Sequence, residues 1–321
     1  MIFFKKTILL LIIILEFIVG GFFLYRYYHF VKKDPIVAEL NSDNIEINID
    51  SEFKYYYELK PNITEEDQPE WLEEKAIYTY NNDGLNERYN YEIEKKEDVI
   101  RIITLGDSFT FGLYVNTFQN WTELLEDELN NSTDLCPNKT FEVINLGVHG
   151  YDVPYIVEGY KRRGQKYNPD LVVWLESNSG FFRNQELWRP LIENCVKDFE
   201  DKSPSVYESC FQQAKDELES KYGLDGIARK NNAFFDIFFN MVDFNKAIFF
   251  GFDRSSLLEK DFNASELRIK SYPLMEFRQI VPSVYNLKQV FADGHPNKEG
   301  HETIKDAIFE SIKFDLEEIC F

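Results

Sequence analysis

The 321 residues contain four histidines, at positions 29, 149, 295 and 301, so imidazole chemistry is confined to a few places. His295 stands in Ala292-Asp-Gly-His-Pro-Asn297, with Asp293 two residues before it. In one tight loop, a carboxylate at that spacing can hold the far imidazole nitrogen while the near one faces a hydroxyl. The hydroxyl to consider is that of Ser108, in Gly106-Asp-Ser-Phe-Thr-Phe-Gly112. Gly-Asp-Ser is also ordinary turn chemistry, so the serine needs partners elsewhere in the chain to count as a nucleophile. His149 lies in a glycine-containing loop where it could touch substrate. His301 falls in the last helix, where packing or capping is the expected role, and His29 flanks an apolar run.

Ser108 must be positioned by the elements around it. Val99–Leu105 is a β-branched, apolar run with the pattern of a buried strand, and the next apolar periodicity is helical, over about 119–130. A serine between such a strand and helix sits on a sharp turn at the carboxyl edge of a sheet. A second strand over Phe141–Leu146, a helix over about Pro154–Tyr167 and a third strand over Leu171–Leu175 complete a βαβαβ succession. The strands are continuous apolar runs, as expected when helices cover both faces of a parallel sheet. Ligands of such sheets sit beyond the carboxyl ends of the strands. The second strand leads there into Asn145-Leu-Gly-Val-His-Gly150, and the third into Glu176-Ser-Asn178. Ester hydrolysis needs a hydroxyl, a base within hydrogen-bond reach and two or three fixed donors for the oxyanion. These four segments contain such groups.

The order GDSFTFG, NLGVHG, ESN and DGHPN resembles the SGNH (GDSL-type) hydrolase superfamily, over about residues 99–178 and 285–318. Tyr80-Asn-Asn-Asp-Gly-Leu85 is similar to the lead-in of many members that carry GDSFTFG. The resemblance implies a flavodoxin-like three-layer α/β/α fold with a central parallel sheet, and a serine esterase mechanism with no cofactor and no metal. By position it implies Ser108 as nucleophile, His295 as general base and Asp293 as the partner that orients it. The oxyanion donors it implies are the Ser108 N–H, the Gly150 N–H (with Gly147 as the alternative) and the Asn178 side-chain amide. Three positions depart from the family pattern: Glu176 where glycine is usual, Ser179 where aspartate is usual, and a single residue between acid and base. A carboxylate at 176 would oppose negative charge in the oxyanion hole unless it points away.

The chain carries 35 Lys and Arg against 56 Asp and Glu, a net charge of −21, and an acidic surface of this kind disfavours nucleic acid as a partner. Thr7–Tyr25 is nearly all apolar and long enough to span a bilayer, so an N-terminal membrane anchor over 1–33 is expected, with an extracytoplasmic catalytic body. Residues 34–98 are expected to form a stalk and a small brace, and residues 99–321 the hydrolase body with a helical insertion over about 182–280. Within that insertion, Cys195 and Cys210 fall on neighbouring helices, and the alternatives are a bridge between them, if the domain lies outside the cytosol, and free buried thiols. Six Asn-x-Ser/Thr sequons, at Asn62, Asn120, Asn130, Asn131, Asn138 and Asn263, are possible glycosylation sites. The functional expectation is a membrane-anchored esterase acting on an acyl ester of a carbohydrate or lipid, with acetyl as the expected acyl group. The alternatives are an O-acyltransferase for a surface glycan and a catalytically silent binding module.

Overall fold

The computed structural model describes residues 45–47, 53–176, 180, 183–199, 203–242, 247–252, 276–280 and 288–320. Its centre is the strand β5, Val99–Leu105, which follows four short strands of the N-terminal region. These are the antiparallel pairs β1 (Ile45–Ile47) with β2 (Tyr57–Leu59), and β3 (Thr64–Asp67) with β4 (Ala76–Thr79). β5 pairs in parallel with β6 (Thr140–Asn145) on one side and β7 (Leu171–Glu176) on the other. β8 (Ala247–Phe252) and β9 (Glu276–Ile280) extend the sheet in the order β6-β5-β7-β8-β9, all parallel. In chain order this is 2-1-3-4-5, the doubly wound arrangement whose crevice opens where the winding reverses, beside the first strand.

Alternating side chains of the strands feed two apolar layers. On one face, Ile100, Ile102, Val143, Val173 and Phe250 pack against Trp121, Leu125 and Leu129 of α2 (Trp121–Asn131) and Ile304, Ile308 and Ile312 of α6 (Lys298–Cys320). On the other, Ile103, Leu105, Ile144, Val172 and Trp174 pack against α3 (Val153–Gly159) and the end of α5 (Pro204–Met241). Trp174 stacks on Phe249 at 5.1 Å and meets Phe238 edge-on at 5.3 Å, so the described part of the phenylalanine-rich stretch is core. α3 continues as a π turn over Tyr160–Gly164 and a 3₁₀ turn to Tyr167, ending on Asn168 with φ 49°.

Residues 53–98 lie on the second face, where Tyr56, Tyr57, Tyr78 and Tyr80 are buried in the same cluster as the sheet. Together with α2, they also close the sheet edge. The outward N–H groups of Phe141, Val143 and Asn145 on β6 donate to side chains rather than to another strand. Asn130 Oδ1 accepts at 2.9 Å, Glu126 Oε2 at 2.7 Å, and Glu87 Oε1 takes the third. An edge so capped offers no free ladder to a second chain.

Two expectations are corrected. The stretch 182–280 is not wholly helical, because β8 and β9 complete the sheet within it. α4 (Gln185–Lys197) and the first half of α5 are the expected helix pair, joined by the Cys195–Cys210 disulfide, and α5 is interrupted at Gly223, φ 65° and ψ 161°. The membrane anchor is the second. Residues 1–33 lie outside the described residues, and among the described residues no helix is long and apolar enough to cross a membrane. The single-pass topology inferred from the sequence is therefore not supported. A second disulfide, Cys136–Cys320, ties the end of α6 to the turn before β6.

Candidate active site

At the carboxyl end of β5 the chain turns sharply into α1, the single turn Ser108–Phe111. Gly106 makes that turn possible, since a Cβ there would lie 2.6 Å from the Leu175 carbonyl oxygen and overlap Thr110. Asp107 caps α1 by accepting from the Phe109 N–H at 3.1 Å. Gly112 ends it in the left-handed region, φ 85°. The carbonyls left over at that end are taken by Asn120, whose Nδ2 donates to Thr110 O at 2.9 Å and Phe111 O at 3.0 Å. Asn120 is fully buried, which corrects its reading as a glycosylation site. Asn62, Asn131 and Asn138 are exposed, and Asn263 lies outside the described residues.

The second part comes from the other end of the chain. Phe291 N donates to His295 O at 2.8 Å and Gly294 N to Phe291 O at 3.1 Å, closing a turn with Gly294 at φ 96°. Asn297 Oδ1 then accepts from Gly300 N at 3.0 Å as α6 begins. Within this turn Asp293 Oδ2 lies 2.8 Å from His295 Nδ1, and its Oδ1 accepts from the His295 N–H at 3.1 Å. The other ring nitrogen, Nε2, lies 2.8 Å from Ser108 Oγ. A hydroxyl, an imidazole and a carboxylate thus form one hydrogen-bonded chain across 187 residues of sequence. The carboxylate is 1 % exposed and the imidazole 12 %, so the pair is shielded while the ring still reaches the surface.

The donor loop after β6 is built against α1. Gly147 N donates to Asn145 Oδ1 at 2.9 Å, and a Cβ at Gly147 would come within 2.6 Å of the Thr110 carbonyl carbon. Gly147 is thus committed to packing. Gly150, φ 77°, is held from outside: Gln185 Nε2 donates to its carbonyl at 2.9 Å and Tyr57 OH donates to the carbonyl of His149. The N–H groups of Ser108 and Gly150 have no partner among the described residues. The His149 ring is buried against Phe111, 5.2 Å away and edge-on. Asn178, with Ser177 and Ser179, lies outside the described residues.

Glu176 is buried at the end of β7, where Oε1 accepts from Gly180 N at 3.0 Å and Oε2 from Trp174 Nε1 at 3.3 Å. Burial, and then the nearby Asp107 carboxylate, push its pKa up to about 8. At neutral pH it is mostly the neutral acid, which answers the electrostatic objection raised by the sequence.

His301 takes no part in the triad. It is fully buried, and Nδ1 accepts from the Trp121 N–H at 3.2 Å, capping α2. Burial, with His295 as a lesser cause, lowers its pKa to about 3. A depressed value means the stability contribution is present above pH 6.5 and is lost as pH falls towards 3. We expect thermal stability to drop between pH 6.5 and 4 by on the order of 3 kcal/mol through this group. In His301→Gln the drop, followed by thermal unfolding, is expected to be shallower. Equal slopes in the two proteins would contradict the cap.

Sequence reasoning missed the outer supports, Asn120, Tyr57 and Gln185. Asn120 and its glycine partner Gly112 are the two with a local signal, an αL end followed by a side-chain cap. Tyr57 and Gln185 reach the site from distant segments and leave no local pattern.

No family model matches the chain, and no curated protein matches it. Solved structures similar to it include a member of the lipolytic G-D-S-L family from Veillonella parvula, 15% identical, covering 66% of this chain and 97% of that one at a TM-score of 0.36. A lipase/acylhydrolase from Enterococcus faecalis is 15% identical over 67% of this chain and 96% of its own, at 0.40. A psychrotrophic esterase from Pseudoalteromonas sp. is 16% identical over 67% and 98%, at 0.39. The first bears the G-D-S-L name.

Proposed function

We propose that the protein is a serine ester hydrolase of the SGNH type, acting on an acyl ester of a carbohydrate or lipid. The observation that supports this most directly is the Ser108–His295–Asp293 hydrogen-bond chain, with 2.8 Å at each side-chain link. Ser108 Oγ attacks the ester carbonyl as its proton passes to His295 Nε2, and Asp293 holds the ring and stabilises the imidazolium. The tetrahedral oxyanion is met by the N–H groups of Ser108 and Gly150 and by the side-chain amide of Asn178. Collapse breaks the ester C–O bond, and the departing alcohol takes the proton from His295. Water, deprotonated by the same ring, then attacks the acyl-serine, releases the acid and restores the hydroxyl.

A series of p-nitrophenyl esters from acetyl to octanoyl tests the reading. Hydrolysis of at least one ester, lost in His295→Ala, is the expected result. Indifference of the rate to His295→Ala would overturn it. Glu176 adds a pH signature. Below about 8 its carboxyl is neutral, and above it a buried negative charge appears at the end of β7, facing the Asp107 carboxylate that precedes the nucleophile. Turnover is expected to decline above pH 8 in the native protein and to decline less in Glu176→Gln. A common alkaline limb in both would contradict this role.

A further inference from the structure

The Gly150 N–H and the His149 carbonyl belong to one peptide unit. That unit is planar and trans, so the two groups point in opposite directions. Whatever fixes the carbonyl therefore fixes the N–H. The Tyr57 hydroxyl, on β2, does so by donating to the His149 carbonyl.

Tyr57 is itself held in place. It is 1 % exposed, its ring lies edge-on to Tyr151 at 5.3 Å and to Tyr155 at 6.3 Å, and the Arg189 guanidinium of α4 lies 5.6 Å from the ring centre. Tyr151 returns a hydrogen bond, its hydroxyl donating to the Tyr57 carbonyl, so β2 and the loop hold each other. The glycine is part of the same fit. A Cβ at Gly150 would lie 2.7 Å from the Tyr57 hydroxyl oxygen, whereas the next atom of that side chain, Cζ, is 4.0 Å away. The hydroxyl stands where a side chain at 150 would be. On the far side of Gly150, Gln185 Nε2 donates to the next carbonyl at 2.9 Å. Both peptide planes that meet at Gly150 are set from outside, against the rotational freedom that glycine otherwise has.

We propose that Tyr57 is a positioning residue of the oxyanion hole: by holding the His149 carbonyl it aims the Gly150 N–H at the developing negative charge. The role rests on the esterase reading above, with Gly150 as an oxyanion donor. Tyr57 acts in two ways. The hydroxyl sets the peptide before substrate arrives, so no reorganisation is needed as charge develops. It also polarises the peptide, since a carbonyl that accepts a hydrogen bond makes the N–H of its own unit a stronger donor. Because Tyr57 works through the peptide and not on the ester, its loss falls on the transition state and spares substrate binding.

The test uses the full chain carrying Tyr57→Phe, which keeps the ring and its packing, assayed on the p-nitrophenyl ester that the native enzyme turns over fastest. We expect kcat to fall by about 10- to 100-fold, less than the roughly 10²–10³ of a donor lost outright, with KM changed by less than about threefold. Inhibition by an alkyl trifluoromethyl ketone, whose adduct with Ser108 carries a tetrahedral oxyanion, is expected to weaken by the same factor as kcat/KM. Gly150→Ala is expected to lower kcat about 100-fold in the native background and only a few-fold in Tyr57→Phe, where the hydroxyl no longer blocks the new methyl group. Should Tyr57→Phe not fold, Gly150→Ala carries the test alone: kcat and trifluoromethyl ketone affinity are expected to fall together. An unchanged kcat in folded Tyr57→Phe, or in either variant a loss confined to KM, would overturn the positioning role while native turnover left the esterase reading standing. Losses that multiply in the double variant would overturn it too. A native protein that hydrolyses no ester and takes no fluorophosphonate at Ser108 would overturn the esterase reading, and this role with it.

Discussion

Replacing Ser108 by alanine is expected to lower ester turnover by about 10⁴-fold or more, with the fold intact. Among the described residues the side chain's contact of consequence is the 2.8 Å one with His295 Nε2. The turn beneath it is held by backbone, including the left-handed cap at Gly112, and by the side chains of Asp107 and Asn120. Losing the hydroxyl therefore removes the attacking atom without removing a support. His295→Ala is expected to cost a similar factor. The double variant is expected to be no worse than either single one, because nucleophile and base act as a unit and their effects do not add. Rates measured on a common ester for the three variants check this. Multiplying losses in the double variant would mean that the two residues act independently.

The second large effect is on stability. Arg101 is buried at 1 % exposure, in the strand that leads to Ser108. Its guanidinium joins β5 to three segments: Nε lies 2.7 Å from Glu142 Oε2 on β6, and Nη1 donates to Tyr167 O at 2.6 Å at the end of the α3 region. Nη2 donates to Glu92 O at 2.8 Å, and Nη1 also to Ile93 O at 3.3 Å, both in the region before β5. Truncation strands Glu142, which is partly exposed, and leaves three carbonyls without their donor. Removing one partner of a buried ion pair costs roughly 3–5 kcal/mol. Arg101→Ala is expected to lose about that much in denaturant unfolding, and a loss below about 1 kcal/mol would show the cluster to be replaceable by water.

The parts of this architecture that were legible in the sequence are those written locally. β5 and β7 are mostly apolar and β-branched, the pattern of a parallel strand covered on both faces, while β6, Thr-Phe-Glu-Val-Ile-Asn, keeps a shorter apolar core at the sheet edge. Asp293 and His295 were legible because they share one turn, and because four histidines leave few candidates. β8 was not, since Ala-Ile-Phe-Phe-Gly-Phe follows directly on a helix that is also rich in phenylalanine, and a short apolar run does not distinguish helix from strand. β9, Glu-Phe-Arg-Gln-Ile, has too little apolar character to announce a strand, and pairing with β8 defines it. Glu176 read as a threat to an oxyanion. Burial and the neighbourhood of Asp107, which only the fold supplies, keep it neutral at pH 7.

The central claim is that Ser108 is a nucleophile activated by His295. Its most direct test is mass spectrometry of the full chain after exposure to a fluorophosphonate. We expect a single adduct that maps to Ser108, forms on the native protein and is absent or greatly slowed in His295→Ala. A folded native protein that forms no adduct, or one that carries the adduct on another residue, would contradict the account.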